Sequence, residues 1–315
     1  MDHSNILLSI VIPVYNSVQT IQIVVEDIRE TLSNKINFEV VLVNDGSKDD
    51  SHEKCRELSR KYSFVKFINL SKNFGQHNAI LAGLHFVKGD YIISMDDDLQ
   101  TPPEAIPKLI NKIEEGYDVV YANYYYKCHN ILRKIGSWTN DIMSYFLLKK
   151  PKNIKITNYF IIREYLIDEI LNYTGPYPYL GGLILRSTDN IAMIKIAHEK
   201  REYGKSSYGF ISLLKLWVNG FTNFSVKPLR ISFFLGIIFS FIGFLFSLFI
   251  LIKKLMDPGI ILGWTSIIIA ILVFSGVQLI SVGLIGEYIG RIFLVQNKQP
   301  QYIIKEKYNI DNAID

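Results

Sequence analysis

Residues 94–104 read S-M-D-D-D-L-Q-T-P-P-E: three consecutive aspartates directly after the apolar run Tyr91–Met95. A short apolar run bounded by polar residues reads as a buried strand. Adjacent carboxylates repel one another and are poorly solvated beside apolar groups, so a strand end is a costly place for them without a partner. Side chains leaving an extended strand alternate in direction. On that pattern Asp96, Asp98 and Gln100 share one side, and Asp97 turns to the other. Two carboxylates and an amide oxygen suit a hard divalent cation, Mg2+ or Mn2+, that keeps phosphate oxygens among its ligands. The plainer reading is that acids after a strand cap the next helix. Thr101 and Glu104 already form a T-x-x-E capping box, with Pro102 at the first helical position, so the helix has its own start signal. The pattern predicts that Asp98→Ala abolishes function while Asp97→Ala is mild.

Outward from this stretch, Leu7–Val14, Phe38–Val43, Val65–Leu70 and Asp118–Ala122 are further apolar, β-rich runs. Helices are expected over roughly Val18–Leu32, from about Ser51, over Gln76–Val87 and over Pro103–Glu115. Apolar strands without alternation, separated by helices, predict a parallel sheet covered on both faces. Ligands of such sheets bind beyond the carboxyl ends of the strands. Asp45, in N-D-G-S after the second strand, and Asp96–Asp98 both stand at such ends; taken alone, Asp45 reads as a turn residue. The first strand ends in P-V-Y-N-S with no G-x-G-x-x-G, which excludes the dinucleotide fingerprint and leaves a mononucleotide site as the expectation.

Composition adds a membrane. The chain of 315 residues is 49% hydrophobic and 20% charged, and its net charge of +4 is too small to imply nucleic acid. Cys55 and Cys128 form neither a metal spacing nor a disulfide framework, in keeping with a reducing compartment. M-D-H-S-N carries no basic region followed by an apolar core, so no signal peptide is expected. Residues 231–252 and 260–286 lack any charge, and each is long enough to span a hydrocarbon core of about 30 Å. The join K-K-L-M-D-P-G holds only a turn, so both ends of the pair lie on one side. Lys215, Lys227, Arg230, Arg291 and Lys298 outnumber Lys253 and Lys254, which puts that side in the cytoplasm. The expected organisation is a cytoplasmic domain over 1–227, a transmembrane hairpin over 228–290 and a cytoplasmic tail over 291–315. Ile131, Ile135, Trp138, Ile142, Tyr145 and Phe146 fall at helical spacing, as do Phe210, Leu214, Trp217 and Phe221. These predict membrane-interfacial helices near 131–149 and 208–222, the alternative being helices packed on the domain core.

S-I-V-I-P-V-Y-N, V-N-D-G-S, N-F-G-Q-H-N-A-I-L-A-G-L, M-D-D-D-L-Q-T-P-P-E and G-L-I-G-E-Y-I-G-R-I-F, in this order, resemble family-2 glycosyltransferases. More narrowly they resemble the polyisoprenyl-phosphate glycosyltransferases, which include dolichol-phosphate mannose synthase and bacterial undecaprenyl-phosphate enzymes. The resemblance implies a GT-A catalytic domain, Rossmann-like with a mostly parallel sheet, followed by two C-terminal transmembrane helices. It implies inverting transfer from a nucleotide sugar, UDP-linked, to a polyprenyl phosphate at the inner face of the cell membrane. By motif match Pro13, Tyr15 and Asn16 line the nucleotide pocket, Asp45 binds the base, and Lys72, Asn73 and Gly75 lie beside the nucleotide. Asp97 is grouped with these nucleotide-sugar residues; Asp96 and Asp98 are the catalytic pair and, with Gln100, hold the metal. R-E-Y-G-K-S-S-Y (201–208) resembles the family's R-x-x-G-x-S-x-Y loop. Its Arg201, Lys205, Ser206 and Ser207, with Arg133 and Lys134, offer donors for the lipid phosphate.

Two departures stand out. I-T-N-Y-F-I-I-R carries no acid from Lys152 through Arg163, where many relatives have one, and Tyr124 stands where relatives often have Arg, with Lys127 a possible substitute. A phosphate monoester with a second pKa of about 6 is largely anionic at neutral pH, so a general base is optional and direct displacement is expected. A processive polysaccharide synthase is disfavoured because no Q-x-x-R-W motif occurs. A catalytically silent nucleotide-binding scaffold is the other alternative. Glucose, a hexosamine and an aminoarabinose are all compatible donors, and Gly236, Gly243, Gly276 and Gly283 permit close helix packing, including homo-oligomerisation.

Overall fold

A computed structural model describes residues 6–33, 35–124, 151, 154–175, 178–196, 227–256, 264–298 and 300–310. The apolar runs form the strands expected of them: β1 (Leu7–Val14), β2 (Asn37–Asn44), β3 (Val65–Leu70), β4 (Tyr91–Ser94) and β5 (Val119–Tyr124). Three further strands, β6 (Phe160–Arg163), β7 (Ile191–Ile196) and β8 (Ile304–Tyr308), complete one sheet in the order β7-β5-β6-β4-β1-β2-β3-β8. The sheet is mixed, because β6 runs antiparallel to β4 and β5, and β8 runs antiparallel to β3.

Helices α1 (Ile21–Leu32), α2 (Ser51–Lys61) and α4 (Ile106–Glu114) cover one face, where Val24, Ile28, Cys55, Leu58, Leu109 and Ile113 join Ile10, Ile12, Ile93 and Val120 in the main core. Helix α3 (Gln76–Leu84) lies on the other face, so close that a Cβ on Gly83 would come within 2.5 Å of the Val11 side chain. Helices α5 (Tyr165–Leu171) and α6 (Leu180–Ser187) pack beside it. Burial on both faces explains why β1 reads as a continuous apolar run, with seven of its eight residues buried.

Strand order places a topological switch beside β1. The chain proceeds from β1 to β2 and β3 on one side, then returns to set β4 on the other. Pro13 marks the opening. Its ring nitrogen would face β4, as the Val11 carbonyl does when it accepts the Met95 N–H at 3.2 Å, but the β1–β4 ladder has ended at Val11 and Ser94. A proline in this central strand therefore forfeits no ladder bond. The acidic loop departs from the gap so formed.

Residues 298–315 belong to the same compact unit as residues 1–213, whereas 214–297 form a second unit. The segment expected to be a tail thus supplies an edge strand. Its Ile304, Glu306 and Tyr308 are half-buried and alternate with exposed Lys305 and Lys307. Tyr308 stacks on Phe67 at 5.9 Å, the Arg56 guanidinium lies 5.0 Å from the Tyr308 ring, and His52 Nε2 lies 3.3 Å from Glu306 Oε2. Asn309 donates through Nδ2 to the carbonyls of Ser59 and Val65, and Gln301 to those of Tyr173 and Gly175.

The second unit holds α7 (Lys227–Met256) and α8 (Trp264–Gln296). Ser232 meets Ser281 at 2.8 Å between hydroxyls, and Phe239 meets Phe274 at 6.4 Å between ring centroids, so the helices run antiparallel. Among the described residues one segment, Phe274–Gln296, is long and apolar enough to cross a membrane, where the sequence led us to expect two. Among the described residues α7 holds a shorter apolar segment, Ser232–Leu245.

Candidate active site

Three loops converge at the carboxyl ends of β1, β2 and β4: residues 15–20 after β1, 45–50 after β2, and 95–102 after β4. The β2 loop is built on Asp45 and Gly46. Asp45 is buried, and its two carboxylate oxygens accept the N–H groups of Phe74 at 2.7 Å and Gly75 at 2.9 Å. Burial raises its pKa above the usual carboxylate range, opposed by those two hydrogen bonds. Gly46 has φ +63°, and a Cβ there would stand 2.4 Å from the Lys72 carbonyl carbon. Only glycine lets the 72–75 segment lie against this turn. Phe74 and Gly75 are thus tied to Asp45, and the Lys72–Asn73 backbone lies against Gly46, with Lys72 Nζ 5.2 Å from the Phe74 ring centroid. Asp45 holds that segment in place at the start of α3.

The acidic loop differs from the strand-based expectation. β4 ends at Ser94, and Leu99 has φ +61°, so the backbone is not extended through Gln100. The Gln100 N–H closes on Asp98 Oδ1 at 3.1 Å. Gln100 therefore belongs to a metal assignment by motif, since strand alternation does not reach it. The capping box is not formed either: the Thr101 hydroxyl donates back to the Asp96 carbonyl at 2.9 Å, and Pro103–Ala105 make a 3-10 turn before α4. Asp96 Oδ1 accepts Gln76 Nε2 at 2.6 Å, which ties the first turn of α3 to the loop.

Asp97 Oδ2 accepts the Tyr15 N–H at 3.1 Å and the Ser17 hydroxyl. Burial pushes its pKa up to about 6, against the lowering effect of those two bonds; the charge of Asp98 adds to the rise. Asn16, at φ +55°, donates its N–H to Ser47 Oγ at 3.0 Å and accepts the Lys48 N–H on Oδ1 at 2.8 Å. Tyr15 is left 43% exposed, available to a flat ligand. Ser17, Ser47 and Gln76 were not singled out from the sequence; a short hydroxyl or amide beside an expected ligand loop is too common to be informative alone.

Beyond Gln76, the His77 ring stands edge-on to Tyr179 with centroids 5.5 Å apart, and burial lowers its pKa to about 4. His77 Nδ1, Ser94 Oγ and Tyr121 Oη are buried without a hydrogen-bond partner among the described residues. Arg133, Lys134, Arg201, Lys205, Ser206 and Ser207, together with the interfacial helices near 131–149 and 208–222, lie outside the described residues.

No group of three or more His, Cys, Asp or Glu side chains is placed to hold a metal among the described residues. A divalent ion that arrives with phosphates needs only one or two carboxylates from the protein, and Asp96 and Asp98 supply hard oxygen donors of that kind. The residues fit an ion carried by a nucleotide and do not form a closed cage of their own.

The comparisons agree with this geometry. A model of the glycosyl transferase family 2 matches residues 9–171. The chain is 37% identical over 310 residues to the uncharacterized glycosyltransferase YkcC of Bacillus subtilis, covering 96% of this chain and 95% of that protein. It is 34% identical over 308 residues to the undecaprenyl-phosphate 4-deoxy-4-formamido-L-arabinose transferase of Klebsiella pneumoniae, covering 94% and 92%. Among solved structures, glucosyl-3-phosphoglycerate synthase from Mycobacterium tuberculosis superposes with a TM-score of 0.50 at 16% identity, over 66% of this chain and 76% of that one. That likeness concerns the fold. The sheet with its three converging loops, the family model and the near-full-length relatives agree: the chain belongs to glycosyltransferase family 2.

Proposed function

We propose that this glycosyltransferase moves a sugar from a UDP-linked donor to a polyprenyl phosphate, undecaprenyl phosphate foremost, at the cytoplasmic face of the cell membrane, with inversion. The observation that carries the reading is the placement of Asp96–Asp98 at the β1/β4 switch point, beside the Tyr15–Ser17 loop and the first turn of α3. The similarity to the Klebsiella undecaprenyl-phosphate enzyme along most of both chains points to the same class of acceptor.

In this reading Pro13, Tyr15 and Asn16 receive the base and ribose, joined by Asp45 and by Lys72, Asn73 and Gly75 across the Asp45–Gly46 turn. Asp96 and Asp98, with Gln100, face the diphosphate. A divalent cation bound there offsets the charge that develops on the departing nucleoside diphosphate. Arg201, Lys205, Ser206 and Ser207, with Arg133 and Lys134, hold the phosphate of the acceptor. That phosphate is itself anionic at neutral pH, so it attacks without a protein nucleophile, and an acid in the 152–163 segment is not required.

The membrane anchor is read as a hairpin. Residues 1–213 and 298–315 make one unit, with β8 hydrogen-bonded to β3. A chain that leaves a unit, enters a bilayer and returns to the same unit crosses an even number of times. Phe233, Phe241, Phe244 and Phe249 on α7 and Ile271, Leu279, Ile280 and Phe293 on α8 are exposed, as side chains facing lipid would be.

The test is direct. Membranes containing the protein are incubated with Mn2+ or Mg2+, undecaprenyl phosphate and a panel of radiolabelled UDP-sugars, and lipid-linked label is extracted. Label should appear with one donor and fall at least a hundredfold in Asp98→Ala. No lipid-linked product with any donor, or full activity in Asp98→Ala, refutes the reading.

A further inference from the structure

The middle acid makes the contacts that join the two loops bordering the switch point. One carboxylate oxygen, Asp97 Oδ2, accepts from both Tyr15 and Ser17. Between those two residues Asn16 takes a left-handed conformation at φ +55°, which non-glycine residues adopt at some cost. The loop is held from its other side as well. Asn16 N–H goes to Ser47, Ser17 N–H to Ser51 Oγ at 2.8 Å, and Val18 N–H to Asp49 Oδ2 at 3.2 Å. The acidic loop has its own left-handed residue, Leu99 at φ +61°, two positions from Asp97. Two turns of uncommon backbone geometry thus flank a single carboxylate, and that carboxylate bridges the acidic loop to the β1 loop.

We propose that Asp97 is a positioning residue: it latches Tyr15–Ser17 to the acidic loop and so fixes the distance between the nucleoside-binding surface and the carboxylates that face the diphosphate. This rests on the nucleotide-sugar reading above and gives the middle acid a role separate from metal binding. Its oxygen is turned toward the β1 loop, so its removal should cost nucleotide affinity and leave the metal requirement alone. A charge-assisted hydrogen bond contributes about 1.5–3 kcal/mol, equivalent to at least about tenfold in an equilibrium constant.

The experiment uses the full-length protein in nanodiscs and four variants: Asp97→Ala, Asp97→Asn, Ser17→Ala and, as reference, Asp98→Ala. Hydrogen exchange of peptides spanning residues 13–20 is measured without ligand. UDP affinity is measured at saturating Mn2+, and the half-saturating Mn2+ concentration at fixed UDP. In Asp97→Ala the Tyr15–Ser17 amides should exchange about tenfold faster and UDP should bind about tenfold more weakly. Its half-saturating Mn2+ should stay within about twofold of wild type, whereas Asp98→Ala should raise it without loosening the β1 loop. Asp97→Asn keeps an acceptor oxygen and should recover most of the loss; Ser17→Ala removes one of the two bonds and should fall between. Unchanged exchange in Asp97→Ala overturns the proposal, as does a rise in its Mn2+ requirement matching Asp98→Ala. If Asp97→Ala does not fold, the Asn and Ser17 variants carry the same comparison. A wild-type protein that binds no UDP overturns the nucleotide reading, while the exchange measurement still decides whether the latch exists.

Discussion

At the scale of single residues, the acidic triplet separates into three environments: Asp96 toward α3, Asp97 toward the β1 loop, and Asp98 closing its own turn. The special character of the triplet was legible in the sequence, because no helix cap needs three acids. The directions of its members were not, since they depend on Leu99 turning left-handed, and nothing in a leucine announces that. Gly46 is a position where side-chain size decides the outcome. Gly46→Ala would force the added methyl into the Lys72–Asn73 backbone, and we expect a loss of about 2 kcal/mol or more in unfolding free energy, together with weaker UDP binding. Chemical denaturation and UDP titration of that variant check it. His77 gives a pH prediction. Its folded pKa, about 4, lies below the ordinary histidine value, so the unfolded chain takes up a proton that the folded one refuses. Stability should fall as pH drops from about 6.5 toward 4. His77→Gln should flatten that decline in thermal unfolding measured between pH 7.5 and 5. An equally steep decline in the variant would assign it to other groups.

At the scale of elements, strands with continuous apolar runs were legible to within a residue or two, because burial on both faces leaves no other composition. β6, β7 and β8 were not read as strands. In β6 the short run F-I-I-R was submerged in a motif comparison. β8 is the instructive case: I-K-E-K-Y alternates as an edge strand should, but follows a long apolar helix and contains three charges, so it reads as a tail. Its contacts with β3 and α2 give it weight. Tyr308→Ala, which removes the Phe67 stack and the Arg56 contact, should cost about 1–2 kcal/mol of domain stability. Removing residues 300–315 should bare the edge of β3 and lead to self-association, measurable by light scattering of the detergent-solubilised protein. A truncated protein as stable and as monodisperse as the full chain would contradict this account of β8.

At the scale of the whole molecule, the return of the chain to its first unit makes the hairpin reading testable. In a variant lacking Cys55 and Cys128, Asp257→Cys in the join between α7 and α8 should react with a membrane-impermeant maleimide in intact cells. Lys305→Cys, at an exposed position of β8, should react only after permeabilisation. Labelling of both sites from the same side would remove the hairpin. The same return also sets an order of manufacture. β3 emerges from the ribosome more than two hundred residues before β8, and everything in the second unit is made between them. The first unit therefore keeps one edge of its sheet open until the second unit has been synthesised. Strand β8 then covers that edge beside Ser71, whose N–H donates to the Ile303 carbonyl at 2.9 Å, one residue from the segment that Asp45 holds.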